Sequence, residues 1–172
     1  ALGVRKLLIE EGKARLRGLA TRGYDHTVML RLNQSTRWME DGAYSQLNGQ
    51  EDLSPSGILA HEMGHHFQWA YEGCVPGREA LRTFMELPLS GFFTDYGRTA
   101  PVEAFAETYR LWITNPILLG QLDHVRFELM ERMVEEFDHV SGFNHKKATR
   151  VASLWDGYEK RQRLETLLKG IE

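Results

Sequence analysis

The amino-acid sequence predicts an α+β domain, mainly helical with a small antiparallel sheet near the N-terminus, and three observations carry that expectation. Apolar residues recur at helical spacing through most of the chain beyond Pro55, residues 26–33 alternate with period two, and Asp41-Gly42 and Asn48-Gly49 are turn pairs around a short strand-like segment. With 172 residues, 42% of them hydrophobic and 26% charged, the chain can bury one core, and residues 1–172 read as a single domain.

Taken in order, Val4 to Leu19 sets Leu7, Leu8, Leu16 and Leu19 among Arg and Glu at spacings that predict an opening helix. Gly23 breaks that pattern. His26 to Asn33 then alternates Val28, Leu30 and Leu32 with Thr27, Met29 and Arg31, which predicts a strand, and Ala43 to Leu47 predicts a second short one. Ser54-Pro55 or Ser56 opens a helix from Ile58 through Glu72 that stops at Gly73. The stretch from Cys74 to Thr99, with Gly77, Pro88, Gly91 and Gly97, predicts long loops. Thr99 and Pro101 start a helix that runs to Ile113 and ends at Asn115-Pro116. Two more helices are expected, over Ile117 to Phe137 and over Lys146 to Leu168. No internal repeat, low-complexity tract or linker interrupts this order.

Composition excludes several classes of function. A net charge of -3 and the absence of a basic stripe argue against nucleic acid as a partner. No apolar run reaches the roughly 18 to 20 residues that cross a bilayer, and the N-terminal residues lack the order of a signal peptide. Ala1 in place of an initiating methionine raises the expectation of a fragment of a longer protein. Cys74 is the single cysteine, so no internal disulfide can form, and it reads as a packed or loop thiol.

The chemistry lies on the helix after Pro55, where His61-Glu62-Met63-Gly64-His65 matches H-E-x-x-H. A helix advances about 1.5 Å and 100° per residue, so His61 and His65 are neighbours on one face and two imidazoles can reach one tetrahedral zinc ion. Glu62 lies beside that pair, placed to take a proton from a water activated by the metal. Two histidines and a glutamate at this spacing also occur on solvated helix faces, but Ile58, Leu59 and Met63 make this helix apolar on another side. Gly64 costs about 1 kcal/mol relative to alanine inside a helix, which suggests that something packs closely there, an element bearing another ligand being one candidate. His66 faces away from the His61 and His65 row and reads as a polar or packing residue.

A catalytic zinc has three protein ligands and an open position. A metzincin continuation would need glycine at position 68 and histidine at position 71, where the sequence has Gln68 and Tyr71. The third ligand therefore falls on another element, and the helix after Pro101 offers Glu103 and Glu107, one turn apart on one face. One would coordinate the metal; the other would hold a histidine ring. By themselves they would also fit as two solvated carboxylates near a helix N-terminus.

Following the H-E-M-G-H string, the stretch Tyr96-Gly97-Arg98-Thr99-Ala100-Pro101-Val102-Glu103-Ala104-Phe105-Ala106-Glu107-Thr108-Tyr109-Arg110-Leu111 resembles the catalytic domain of the anthrax lethal factor-like metallopeptidases. It departs from that pattern at Ala100-Pro101, where more polar residues are expected, and the likeness covers residues 58 to 113 well and the flanks in outline. The resemblance implies a zincin-like fold in which Glu103 binds zinc, Glu107 supports the site and Tyr96 donates a hydrogen bond to the tetrahedral intermediate or leaving group. It also implies an extended peptide bound along an edge strand beside the metal helix, for which Ala43 to Leu47 is the candidate.

The function expected is zinc-dependent hydrolysis of a peptide or protein substrate. The rival from another class is a catalytically silent zincin-like domain that uses the helices for protein interaction around a structural zinc; such a site has no use for Glu62 or Tyr96 and more often closes its fourth position with Cys or His. Trp38, Trp69, Trp112, Trp155, Tyr44 and Phe67 read as core or pocket walls. His124, His139 and His145 show no ligand-like spacing and read as structural or exposed.

Overall fold

The structure, a computed structural model, describes residues 6–11, 18–20, 27–32 and 55–145, the first three stretches as backbone. Three strands, β1 (Lys6–Glu11), β2 (Gly18–Ala20) and β3 (Thr27–Leu32), are followed by five helices: α1 (Pro55–Cys74), α2 (Glu79–Glu86), α3 (Pro101–Thr114), α4 (Pro116–Leu122) and α5 (His124–Ser141). From Pro55 to His145 the described chain is all helical with no strand, which overturns the expected α+β class for the region that carries the chemistry. Nor do the N-terminal strands form the antiparallel sheet expected. Their order is β1-β3-β2, and β1 runs parallel to β3, with Leu8 opposite Met29, while β2 is antiparallel to it.

The opening helix expected near the N-terminus also gives way to strands. Residues 6–11 contain the apolar run Leu7-Leu8-Ile9, and a run this short is compatible with either a helix or a buried strand until a pairing partner decides. β3 supplies that partner, so the opening helix expected over Val4 to Leu19 is replaced by β1 and β2. The strand expected over His26 to Asn33 coincides with β3. The expected strand at Ala43 to Leu47, its flanking turns, Trp38, Tyr44, Trp155 and the helix expected over Lys146 to Leu168 lie outside the described residues.

α1 opens at Pro55, whose fixed φ and missing N–H suit the first helical turn. It runs through Gly73 to Cys74 and then turns at Gly77 and Arg78, both at positive φ (81° and 51°). α2 occupies part of the stretch expected to be loop; Ala80, Leu81 and Phe84 form its buried side, a two-turn pattern too short to stand out in sequence. The single helix expected over Ile117 to Phe137 is two. Asp123 breaks it, accepting the Arg126 backbone N–H at 3.0 Å as an N-cap, and Gly142 at φ 68° ends α5.

Packing converges on Phe67 of α1, fully buried against Tyr109 (ring centroids 4.9 Å), Phe137 (5.5 Å) and Phe105 (6.0 Å). Burying each such ring contributes about 1.5–3 kcal/mol. The tightest approach is at Gly64, where a Cβ would stand 2.8 Å from the Ala106 Cα and 3.0 Å from its carbonyl oxygen. Glycine thus lets α3 lie backbone to backbone against the helix that carries H-E-x-x-H. The same contact sets Glu103 and Glu107 opposite the two histidines.

Candidate metal centre

His61 and His65 project from one face of α1, their rings 5.0 Å apart and edge to face. Glu103, in the first turn of α3, presents Oε2 to both: 3.1 Å from His61 Nε2 and 3.4 Å from His65 Nε2. The three residues offer ligand atoms that all lie within 4.8 Å of one another. Around zinc at about 2.0–2.1 Å from each donor, neighbouring ligand atoms of a tetrahedral shell stand about 3.3 Å apart. The two nitrogen-to-oxygen distances, 3.1 and 3.4 Å, are edges of that size.

The other side of His61 fixes its tautomer. Nδ1 meets Glu107 Oε1 at 2.8 Å, and an ionised carboxylate only accepts, so Nδ1 carries the hydrogen. A neutral ring would then turn the Nε2 lone pair toward the Glu103 carboxylate, 3.1 Å away, an arrangement that asks for a cation between them, whether a proton or a metal ion. Electrostatics agree. Burial, the largest single influence on His61, lowers its basicity, yet the Glu103 and Glu107 carboxylates outweigh it and raise its pKa to about 9. Burial likewise works to raise both carboxyls. The two imidazoles nonetheless hold Glu103 well below the usual range, and Arg110 with His61 brings Glu107 to about 2.

Glu62 is buried beside the histidines on α1, with 6% of its surface exposed. Tyr96 comes from the loop before α3; its ring lies 5.5 Å from the His61 ring, and the residue is 39% exposed. That loop is held by several local bonds. Thr99 Oγ1 donates to the Tyr96 carbonyl (2.6 Å), the Gly97 N–H to Thr94 Oγ1 (3.1 Å) and Arg98 Nε to the Phe92 carbonyl (2.9 Å). Trp69, one turn beyond His65, stacks on its ring at 6.2 Å and walls the cluster on that side.

All six residues singled out from sequence, His61, Glu62, His65, Tyr96, Glu103 and Glu107, therefore meet where α1, α3 and the Tyr96 loop converge. His66 is buried against Trp69 instead, ring centroids 5.1 Å apart. His124 is exposed and pairs with Glu128, His139 is exposed, and His145 is buried among aromatic rings. A surface cavity of about 630 Å³ lies at the far end of α1, lined by Glu72, Arg78, Leu81, Arg82 and Met85, and includes none of the six. Sequence reasoning gave Arg110 no role, although it stands one turn beyond Glu107; here it grips that carboxylate through Nε (3.1 Å) and Nη2 (2.7 Å). No protein-family model, curated protein or solved structure matches the chain.

Proposed function

We propose that the chain is a zinc-dependent endopeptidase on the plan of the lethal factor-like metallopeptidases, with His61, His65 and Glu103 as ligands and Glu62 as general base. The observation that supports it is one carboxylate oxygen at tetrahedral-edge distances from two imidazole nitrogens, all three ligand atoms within 4.8 Å of one another, with the first imidazole held from behind by Glu107. Three protein ligands leave a fourth position open, the mark of a catalytic and not a structural site. Zinc bound there would bring the pKa of water toward about 7 and polarise a substrate carbonyl.

The chain's own residues then divide the work. The Glu62 carboxylate takes the proton of the attacking water and passes it to the leaving amine. Its burial keeps competing water away from that transfer. Tyr96, partly exposed beside His61, donates its hydroxyl hydrogen to charge that develops on the substrate. Glu107 keeps hydrogen on Nδ1 of His61 and so leaves Nε2 free to coordinate. The partner is an extended peptide or protein chain. Among the described residues no helix is long and apolar enough to cross a membrane.

The test is metal content of the purified chain together with digestion of a peptide library. One zinc per chain and hydrolysis that stops on chelation are expected. Equal metal content in the wild type and a His61→Ala, His65→Ala double variant would rule this site out.

A further inference from the structure

We infer that Arg110 is a positioning residue of this centre, acting on His61 through Glu107; the inference rests on the metal-centre reading above. Arg110 is 1% exposed, and a guanidinium is costly to bury without a partner. Among its partners is Glu107, three residues earlier on the same helix and itself buried. Arg110 Nε donates to Oε1 at 3.1 Å and Nη2 to Oε2 at 2.7 Å. Two parallel N–H bonds from a planar fork fix the plane of the carboxylate as well as its position. Oε1 then has one lone pair left, and His61 Nδ1 donates to it at 2.8 Å.

The chain of contacts carries rotamer control from α3 to the ring whose Nε2 faces Glu103. A role in stability alone is a weak account of it. Apolar side chains of similar volume generally serve a core as well as a buried ion pair does. What they cannot do is keep Glu107 ionised in a buried place and aimed at His61. Lysine at this position would keep the charge and lose the fork, which separates positioning from charge balance.

Affinity for Zn2+ alone is measured by chelator competition for the wild type, Arg110→Lys, Glu107→Ala and the double variant. Arg110→Lys is expected to weaken binding about 10-fold and Glu107→Ala about 10 to 100-fold, the double variant being no weaker than Glu107→Ala. Wild-type affinity in Arg110→Lys, or a double-variant loss equal to the product of the single losses, would overturn the inference. A second readout needs neither zinc nor a variant: in NMR spectra of the metal-free wild type, the His61 Nδ1–H and Arg110 Nε–H hydrogens are expected to exchange slowly. Exchange of either at the rate of free solvent would overturn the inference even if Arg110→Lys does not fold. A wild type that takes up no zinc would refute the proposed function instead, and fast exchange of either hydrogen would still overturn the inference about Arg110.

Discussion

Two glutamates one turn apart on α3 meet the same histidine on opposite nitrogens, Glu103 at Nε2 and Glu107 at Nδ1. Their roles follow from that difference. On the proposed function, Glu103→Ala removes a ligand and should reduce zinc affinity severely, whereas Glu107→Ala leaves three donors in place and should cost about 10 to 100-fold. Chelator competition on both variants checks the order, and a reversed order would transfer the ligand role to Glu107. Glu62 and Tyr96 are separated in the same way from the proposed metal ligands. Glu62→Gln should keep zinc and lose most hydrolysis, because the isosteric amide cannot take a proton. Tyr96→Phe should keep zinc and lose about 100 to 1,000-fold in turnover, the usual effect of deleting one donor to transition-state charge. Both are read as zinc content and turnover on one cleavable peptide; hydrolysis at the wild-type rate by Glu62→Gln would sink the mechanism.

Between elements, the decisive contact is the one that carries no side chain. Gly64 of α1 lies against the backbone of Ala106, and a Cβ there would be 2.8 Å from Cα and 3.2 Å from the Tyr109 Cβ, neither of which can swing aside. Gly64→Ala is favoured by helix propensity by about 1 kcal/mol. Overpacking of this kind costs about 1–3 kcal/mol, so the clash should win and the variant should melt at a lower temperature. Because the same displacement draws Glu103 away from His61 and His65, zinc affinity should fall with stability. A variant that is more stable than wild type, by thermal melting, would show that α1 and α3 are not in backbone contact.

At the scale of the whole molecule, His145 ties three helices together. Its ring is ringed by Phe143 (4.6 Å), Phe67 (5.2 Å), Phe137 (5.7 Å), Trp112 (6.2 Å) and Tyr109 (6.4 Å), drawn from α1, α3, α5 and the segment after it. Burial lowers its pKa below the ordinary 6.5, although the Asp138 carboxylate, which accepts from Nδ1, works the other way. The unfolded chain therefore takes up a proton at a pH where the folded chain does not. The contribution is fully present above about 6.5 and is lost as pH falls from there to the depressed folded value. Denaturant midpoints at pH 8 and pH 5 should drop further in the wild type than in His145→Gln, and equal drops would remove His145 from the account. Legibility from sequence follows the same division between local and distant contacts. The i, i+4 spacing of His61 and His65, the flanking Glu62, the one-turn pair Glu103 and Glu107, and the reason for Gly64 were all readable, because helical geometry converts spacing along the chain into proximity on a face. The Pro55 and Pro101 helix starts were readable for a similar reason, since proline restricts its own backbone. The fold class was not. A short apolar run such as Leu7-Leu8-Ile9 has no conformation until β3 pairs with it, and the α4–α5 break depends on one Asp123 side chain outcompeting a continuous helix. Sequence by itself determined which residue types could bind a metal and on which two helices they stand; tertiary structure alone decided that Glu103 faces Nε2, that Glu107 faces Nδ1 and that Arg110 grips Glu107, because contacts 42 and 46 residues apart are set by how closely α1 and α3 pack, and no local pattern encodes that distance.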